Sequence, residues 1–545
     1  MTPKANPTMN NSPNAKNTPL VRKLTAGIVA LATGLALSAC TASTTTSGST
    51  SSTSTQANTT TTTSVASAAA ALADNAESHA DANDADYDAS EAITITLADG
   101  ASKAGSAEGV SIDGDVVTIS APGTYVLSGT LTNGQVVVNS DAEGKVKLVL
   151  DGASITSTTG AALVITAADE AVVVLADGSS NTLVDGTGYD TSAEDAPNAA
   201  LFSMADLTIG GTGALTVTGN TNDGISSKDG LVILSGTITV TAKDDGIRGK
   251  DYLIIADGTV SVTAEGDGLK SDNEDDDTVG YVRIDGGAIQ IAAGDDGIHA
   301  EGDLAVNAGK LTVSKSNEAI EGATITIAGG EVDVTASDDG LNATAGTSTD
   351  TGGGGGGGGM QNDGSLLTIS GGTLLVNADG DGLDSNGSLV ITGGTTVVSG
   401  PTNSGNGALD SNGGITVSGG TLVAAGAAGM AETPGTESSQ GWVSVTLDQS
   451  VAAGQTVSIV KDGTVIASYT TVKQVQSLVV SDPDIKTGEA YDVYVGGKLA
   501  GDTVGTYSDS GDVSGATKTT SVTAGEGAST GMGGQGGGRG GGKRP

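Results

Sequence analysis

The segments "LVILSGTITVTAKDDGI", "YLIIADGTVSVTAEGDGL", "VRIDGGAIQIAAGDDGI", "LAVNAGKLTVSKSNEAI", "ITIAGGEVDVTASDDGL" and "LTISGGTLLVNADGDGL" follow one template: short apolar strand, Gly-rich turn, alternating strand, acidic turn. The second acid of that turn falls at Asp223, Asp245, Asp267, Asp296, Glu318, Asp339 and Asp381, with gaps of 22, 22, 29, 22, 21 and 42 residues. The two longest gaps hold insertions, "NEDDDTVGY" and the run Gly352 to Gly359. A period this short, rich in β-branched residues, cannot hold two helices and their turns. It fits one coil of a parallel β-helix. The expected fold is therefore all-β, with about 22 residues per coil.

Composition agrees. With 87 glycines, 2% aromatics and 37% hydrophobic residues, the core must be made of small aliphatic side chains. Ile238 and Val240 alternate with Thr237, Thr239 and Thr241, which predicts aliphatics inside and threonines outside. Residues 91–220 keep the strand and turn grammar less regularly and read as the first coils of a β-helix spanning 91–430. About fifteen coils are expected, a rod roughly 70 Å long at the inter-strand spacing of a sheet. After Thr433 the strands lengthen and most of the aromatics that could anchor a core appear, Trp442, Tyr469, Tyr491 and Tyr494. Residues 434–508 read as a small C-terminal β-domain that caps the open sheet edge.

The two ends have other compositions. Lys16, Arg22 and Lys23 precede the apolar run Leu24 to Leu37, which is too short to span a membrane and ends in "LSAC". Residues 1–39 read as a lipoprotein signal peptide, because "LSAC" resembles the bacterial lipobox and Cys40, the single cysteine, would carry the lipid. An extracellular protein anchored to a bacterial membrane is expected, with no disulfide and no thiol metal site. Residues 40–90 read as a Ser/Thr-rich stalk, and 509–545 as a Gly-rich tail.

Charge narrows the function. Cleavage before Cys40 removes four cations and no acid, taking the formal charge from -41 to -45. Such a polyanion is no nucleic-acid binder, and its natural partners are cations. Within "AEGDGLKSDNEDDD", Ala264 to Asp277, seven residues are acidic. In coil register, Asp223, Asp245 and Asp267 form one column, flanked by Asp244, Glu265 and Asp295 and continued by Asp296, Asp339 and Asp381, with Asp338 beside it. Ser226, Arg248 and Lys270 form a second column, and Lys228, Lys250 and Asp272 a third. Carboxylates stacked at about 5 Å repel by roughly 1 kcal/mol in water and by more when partly buried. A rigid ladder cannot spread to relieve this, so bound cations are the simplest relief. Hard oxygen ligands, a glycine beside each Asp to free backbone carbonyls, and no available Cys point to Ca2+. The expected ligands are Asp223, Asp244, Asp245, Glu265, Asp267, Asp272, Asp295, Asp296, Asp338 and Asp339. Neither the EF-hand loop nor the nonapeptide calcium repeat matches. Acidic turns kept for solubility, and inter-coil ion pairs, are the alternative readings of the two columns.

"TYVLSGTL", "VKLVLDGASITS", "NDGISSKD", "KDDGIRGKD", "EGDGLKSDN" and "GDDGIHAEG" resemble the calcium-binding, right-handed parallel β-helix family of bacterial surface carbohydrate-binding proteins, related in fold to pectate lyases. The likeness covers roughly residues 91–345. It implies calcium in the acidic turns and binding of plant-type polysaccharides such as polygalacturonate or cellulose. The coil register itself makes Lys228, Arg248, Lys250 and Lys270 a row of cations suited to an extended acidic sugar polymer. One Trp, one Phe and nine Tyr favour an acidic polysaccharide over a flat neutral glucan. A calcium-dependent lyase would use Arg248 or Lys270 as base, but a lysine among packed acids should have a raised pKa. A structural stalk or adhesin is the third reading. His299 reads as an outward turn residue, His79 lies in the stalk, and a monomer is expected.

Overall fold

A computed structural model describes residues 72–193, 195–345 and 362–527. The signal peptide, Cys40, the Gly352 to Gly359 run and residues 528–545 lie outside the described residues. Among the described residues there is no helix. Strands stack in parallel from Ile93–Ala98 to Thr421–Gly426, and each coil contributes up to three of them. The first face holds the longest strands, such as Thr237–Ala242 and Thr259–Ala264. A second holds short ones, such as Ile247–Gly249 and Leu269–Ser271, and a third holds Tyr252–Ile255 and Tyr281–Ile284.

Alternation decides which side chains enter. Ile238, Val260, Ile289, Leu311, Val332 and Leu374 are in register, coil upon coil, and all are buried. Thirteen strands stack on the first face, about 58 Å along the axis. Fifteen coils is too many because several coils exceed 22 residues: Val332 to Leu374 takes 42, Leu183 to Val217 takes 34, and Ile95 to Leu127 takes 32, the last spending residues on antiparallel pairings such as Val110–Asp113 with Val116–Ile119.

Residues 72–90 correct the expected stalk, because they lie against the third face. Leu72 packs with Val232, Tyr252, Ile254 and Tyr281. The backbone N–H of Ala76 donates to the Thr278 carbonyl at 2.8 Å. His79 meets the Tyr252 hydroxyl at 2.6 Å, Thr208 Oγ1 at 3.0 Å and Asp206 Oδ1 at 3.0 Å. Lys147 Nζ donates to the carbonyls of Asp84 and Asp86. The segment is thus a strap crossing several coils before the first strand begins.

At the other end, Val475–Ser481 pairs antiparallel with both Thr421–Gly426 and Trp442–Val451, so the last coil's edge is covered by sheet. The C-terminal β-domain runs past the expected boundary at 508. Thr517–Thr523 pairs with Ala490–Val495 and belongs to its five-stranded sheet. This domain packs on Val397 and Val423 of the first face, and the Tyr469 hydroxyl lies 2.8 Å from Ser399 Oγ.

Candidate functional site: a ladder of carboxylates

The acidic turn feeds directly into the second face. After each Asp comes a glycine, a buried aliphatic and an outward side chain, and these positions repeat in register. The outward column reads Ser226, Arg248, Lys270, His299, Glu321, Asn342, Asp384 and Asp410. It changes from cationic to anionic along the axis while the Asp column beside it stays acidic.

The glycines answer a steric demand. A Cβ on Gly268 would sit 2.4 Å from Ile291 Cγ2 and 2.5 Å from the Gly297 carbonyl oxygen. Gly246 and Gly340 meet the same obstruction from Val262 and Val376. The carbonyls of these turns each accept a backbone hydrogen bond from the coil beside them. Gly246 N–H donates to the Asp267 carbonyl, and Leu269 N–H donates to the Gly297 carbonyl.

Each ladder carboxylate also ties two coils together. Asp267 N–H donates to Asp245 Oδ1 at 3.0 Å, Asp296 N–H to Asp267 Oδ1 at 2.9 Å, and Asp381 N–H to Asp339 Oδ1 at 2.6 Å. The second oxygen remains for a cation, and the source of that cation differs along the ladder.

In the first half, protein side chains provide it. Lys270 Nζ lies 2.7 Å from Asp267 Oδ2 and 3.2 Å from Asp245 Oδ2. Arg248 forks onto Asp272, Nε to Oδ1 at 2.9 Å and Nη2 to Oδ2 at 2.7 Å. Burial alone would lower the Lys270 pKa, but Asp245 and Asp267 outweigh it and raise the value. Lys243 pairs with Glu265 at the exposed rim, and Lys250 reaches only an exposed Asp275, at 3.8 Å. Lys228 is half-buried, and desolvation together with Arg248 lowers its pKa. Asp223 is enclosed, held by the amides of Asn198 and Asn222, and desolvation with Asp245 raises it to about 8. Asp244, Asp295 and Asp338 flank the ladder on the exposed side.

His299 stands at the changeover. Its Nδ1 lies 2.8 Å from Glu321 Oε2 and 3.5 Å from Asp296 Oδ2. Burial works against protonation, yet Asp296 and Glu321 push its pKa up to about 10. One ligand atom each from Asp296, His299 and Glu321 lies within 4.8 Å of the others, and the same holds for Asp267, Asp295 and Asp296.

Beyond it the ladder lacks counter-charge. Among the described residues, no Lys, Arg or His forms a salt bridge with Asp339, Asp381, Asp384, Asp410 or Glu432. Desolvation and mutual repulsion raise Asp339 to about 6, Asp384 to about 8 and Glu432 to about 7. Asp381 is raised to about 6 by desolvation and Asp410. Asp384, Asp410, Glu432, Glu321 and His299, and Asp381 as a ligand, are not among the site residues expected from the sequence. The first two carried a signal in "DGLDSN" and "GALDSN", where the outward position of the template is itself an aspartate.

A family model described as carbohydrate-binding domain-containing protein matches residues 113–356, from the first coils through Asp339. Over 216 residues the chain is 39% identical to a carbohydrate-binding domain-containing protein of Acetivibrio thermocellus, covering 39% of this chain and 76% of that relative. The chain belongs to this family. Within it, the ladder from Asp223 to Asp339 falls inside the matched residues, whereas Asp381, Asp384, Asp410 and Glu432 follow them. Among solved structures, the polysaccharide lyase-like protein from C. thermocellum, a gadolinium derivative, aligns at 27% identity over 58% of this chain and 99% of that one, with a TM-score of 0.37.

Proposed function

We propose that the protein binds acidic, polygalacturonate-like polysaccharide through Ca2+ held along the ladder, as a lipid-anchored extracellular protein with Cys40 as the anchor. The observation that carries this reading is the uncompensated run Asp339, Asp381, Asp384, Asp410 and Glu432. A rigid β-helix gives these carboxylates no way to separate, and their pKa values are raised by burial first and, for all but Asp410, by neighbouring carboxylates second, a cost of ionisation that a divalent cation offsets. These five, with Asp338 at the rim, are the residues that would hold calcium. Asp267, Asp295 and Asp296 form a second oxygen group. Asp245, Asp267 and Asp272 each face a basic side chain and are weaker calcium ligands than Asp295 and Asp296. When bound, calcium supplies open positions that the carboxylates of a uronic-acid polymer can fill. Lys228 and Lys250, less engaged in ion pairs than Arg248 and Lys270, are the basic side chains best placed to add to that contact.

A lyase needs a base, and the raised Lys270, clamped between two carboxylates, is poorly suited to take a proton. Binding is therefore the preferred reading. The test is retention on immobilised polygalacturonate with calcium and after chelation. Retention that vanishes on chelation and returns with calcium supports the proposal. No retention in either state sinks it, and an unsaturated product absorbing in the ultraviolet would replace it with the lyase.

A further inference from the structure

We infer that Asp296, His299 and Glu321 form a transition-metal site of zinc-class chemistry, distinct in its ligand set from the all-oxygen part of the ladder that would hold calcium. The inference stands on its own geometry and does not require the polysaccharide reading.

His299 is the one imidazole in the outward column, placed between the cations Arg248 and Lys270 and the carboxylate Glu321. It sits on Ile298–Val306, directly in register with Glu321 on Ile320–Ile327, so neighbouring parallel strands fix the two side chains. Asp296 enters from the turn just before, with its other oxygen tied to the Glu318 N–H at 3.3 Å. The three ligand atoms lie within 4.8 Å of one another, close enough to converge on one metal ion. Tetrahedral zinc with bonds of about 2.0–2.1 Å places its ligand atoms roughly 3.3 Å apart. His299 Nδ1 is already 3.5 Å from Asp296 Oδ2 and needs to move only slightly from Glu321 Oε2, now at 2.8 Å.

The side chains of Asp296, His299 and Glu321 are 11%, 23% and 21% exposed. The site is thus shielded but reachable, with room for a fourth ligand from solvent. Two carboxylates and one imidazole suit zinc, cobalt or another borderline cation, whereas calcium prefers oxygen alone. Asp296 also belongs to the Asp267–Asp295–Asp296 group, so the ladder changes from hard to borderline chemistry at this residue.

The full chain, stripped with chelator and returned to excess calcium, should take up one equivalent of Co2+ with visible ligand-field absorption, and Zn2+ should displace it. X-ray absorption on the zinc-loaded chain should show one imidazole. His299→Gln should lower zinc affinity more than about 100-fold, beyond what losing an outer-shell partner costs, while leaving the circular dichroism spectrum unchanged. Because the chain has one other histidine, His79→Gln is the control and should keep full affinity. No uptake in excess calcium, no imidazole around zinc in the unmodified chain, or dependence on His79 in place of His299 would each overturn the inference. The absorption measurement on the unmodified chain decides even if a variant fails to fold.

Discussion

Core positions in this molecule repeat so strictly that a single departure stands out. Leu374, Thr396 and Leu422 are in register, and Thr396 is wholly buried with its hydroxyl unpartnered. A hydroxyl without a hydrogen bond in such a place costs about 1–3 kcal/mol. Valine has nearly the same shape. Thr396→Val is therefore expected to stabilise the chain by about 1–2 kcal/mol, read as a higher denaturation midpoint with an unchanged slope. An unchanged midpoint would mean that the hydroxyl is satisfied. The same strictness explains the glycine after each ladder aspartate: at Gly268 there is room for hydrogen only.

Elements are matched to what covers them. Along the first face the outward column runs Thr239, Ser261, Gln290, Thr312 and Asp333, then turns to Leu375, Val397 and Val423. The change to apolar side chains falls where the C-terminal β-domain packs, as Val397 and Val423 share its core with Val457, Tyr469 and Val480. An isolated charge placed there has neither water nor a partner. Val423→Asp should cost more than about 3 kcal/mol and make the C-terminal β-domain the first segment cut in limited proteolysis. Cleavage that begins within the coils instead would show that the interface does not hold the domain. The strap is a second such match, with Leu72 and His79 against Tyr252 over an otherwise uncovered third face.

Over the whole molecule, the ladder makes stability a function of pH and, under the proposed calcium binding, of cation. Asp339, Asp381, Asp384 and Glu432 have folded pKa values of about 6, 6, 8 and 7, above an unfolded value near 4. The folded chain then holds more protons than the unfolded chain between these limits. The stability these groups contribute is complete below about pH 4 and is lost as pH rises through 6 to 8. In chelator the melting temperature should fall over that interval, and calcium should remove most of the fall. A melting temperature that is flat with pH in chelator would show that the repulsion is relieved some other way.

Much of this was legible in the chain because a coil repeat converts sequence spacing into spatial register. The period near 22 residues, the inward aliphatics and the Asp column follow from local alternation, and alternation survives folding. Three things did not follow. That Arg248 turns to Asp272 and Lys270 to Asp245 and Asp267 depends on side-chain reach between coils, so the basic column became internal neutralisation along the first half of the ladder. Among the described residues the second half lacks such partners, which is visible only once the columns are assembled. Residues 72–90 have the composition of a stalk, and only the third face, with the Tyr252 hydroxyl and the ammonium groups of Lys145 and Lys147, gives them somewhere to bind. The sequence by itself determined the coil, its core and the line of carboxylates, because these are set by neighbours along one strand. Which carboxylates keep a free charge, and what covers each face, was decided by the tertiary structure, because those outcomes depend on residues many coils apart in the chain.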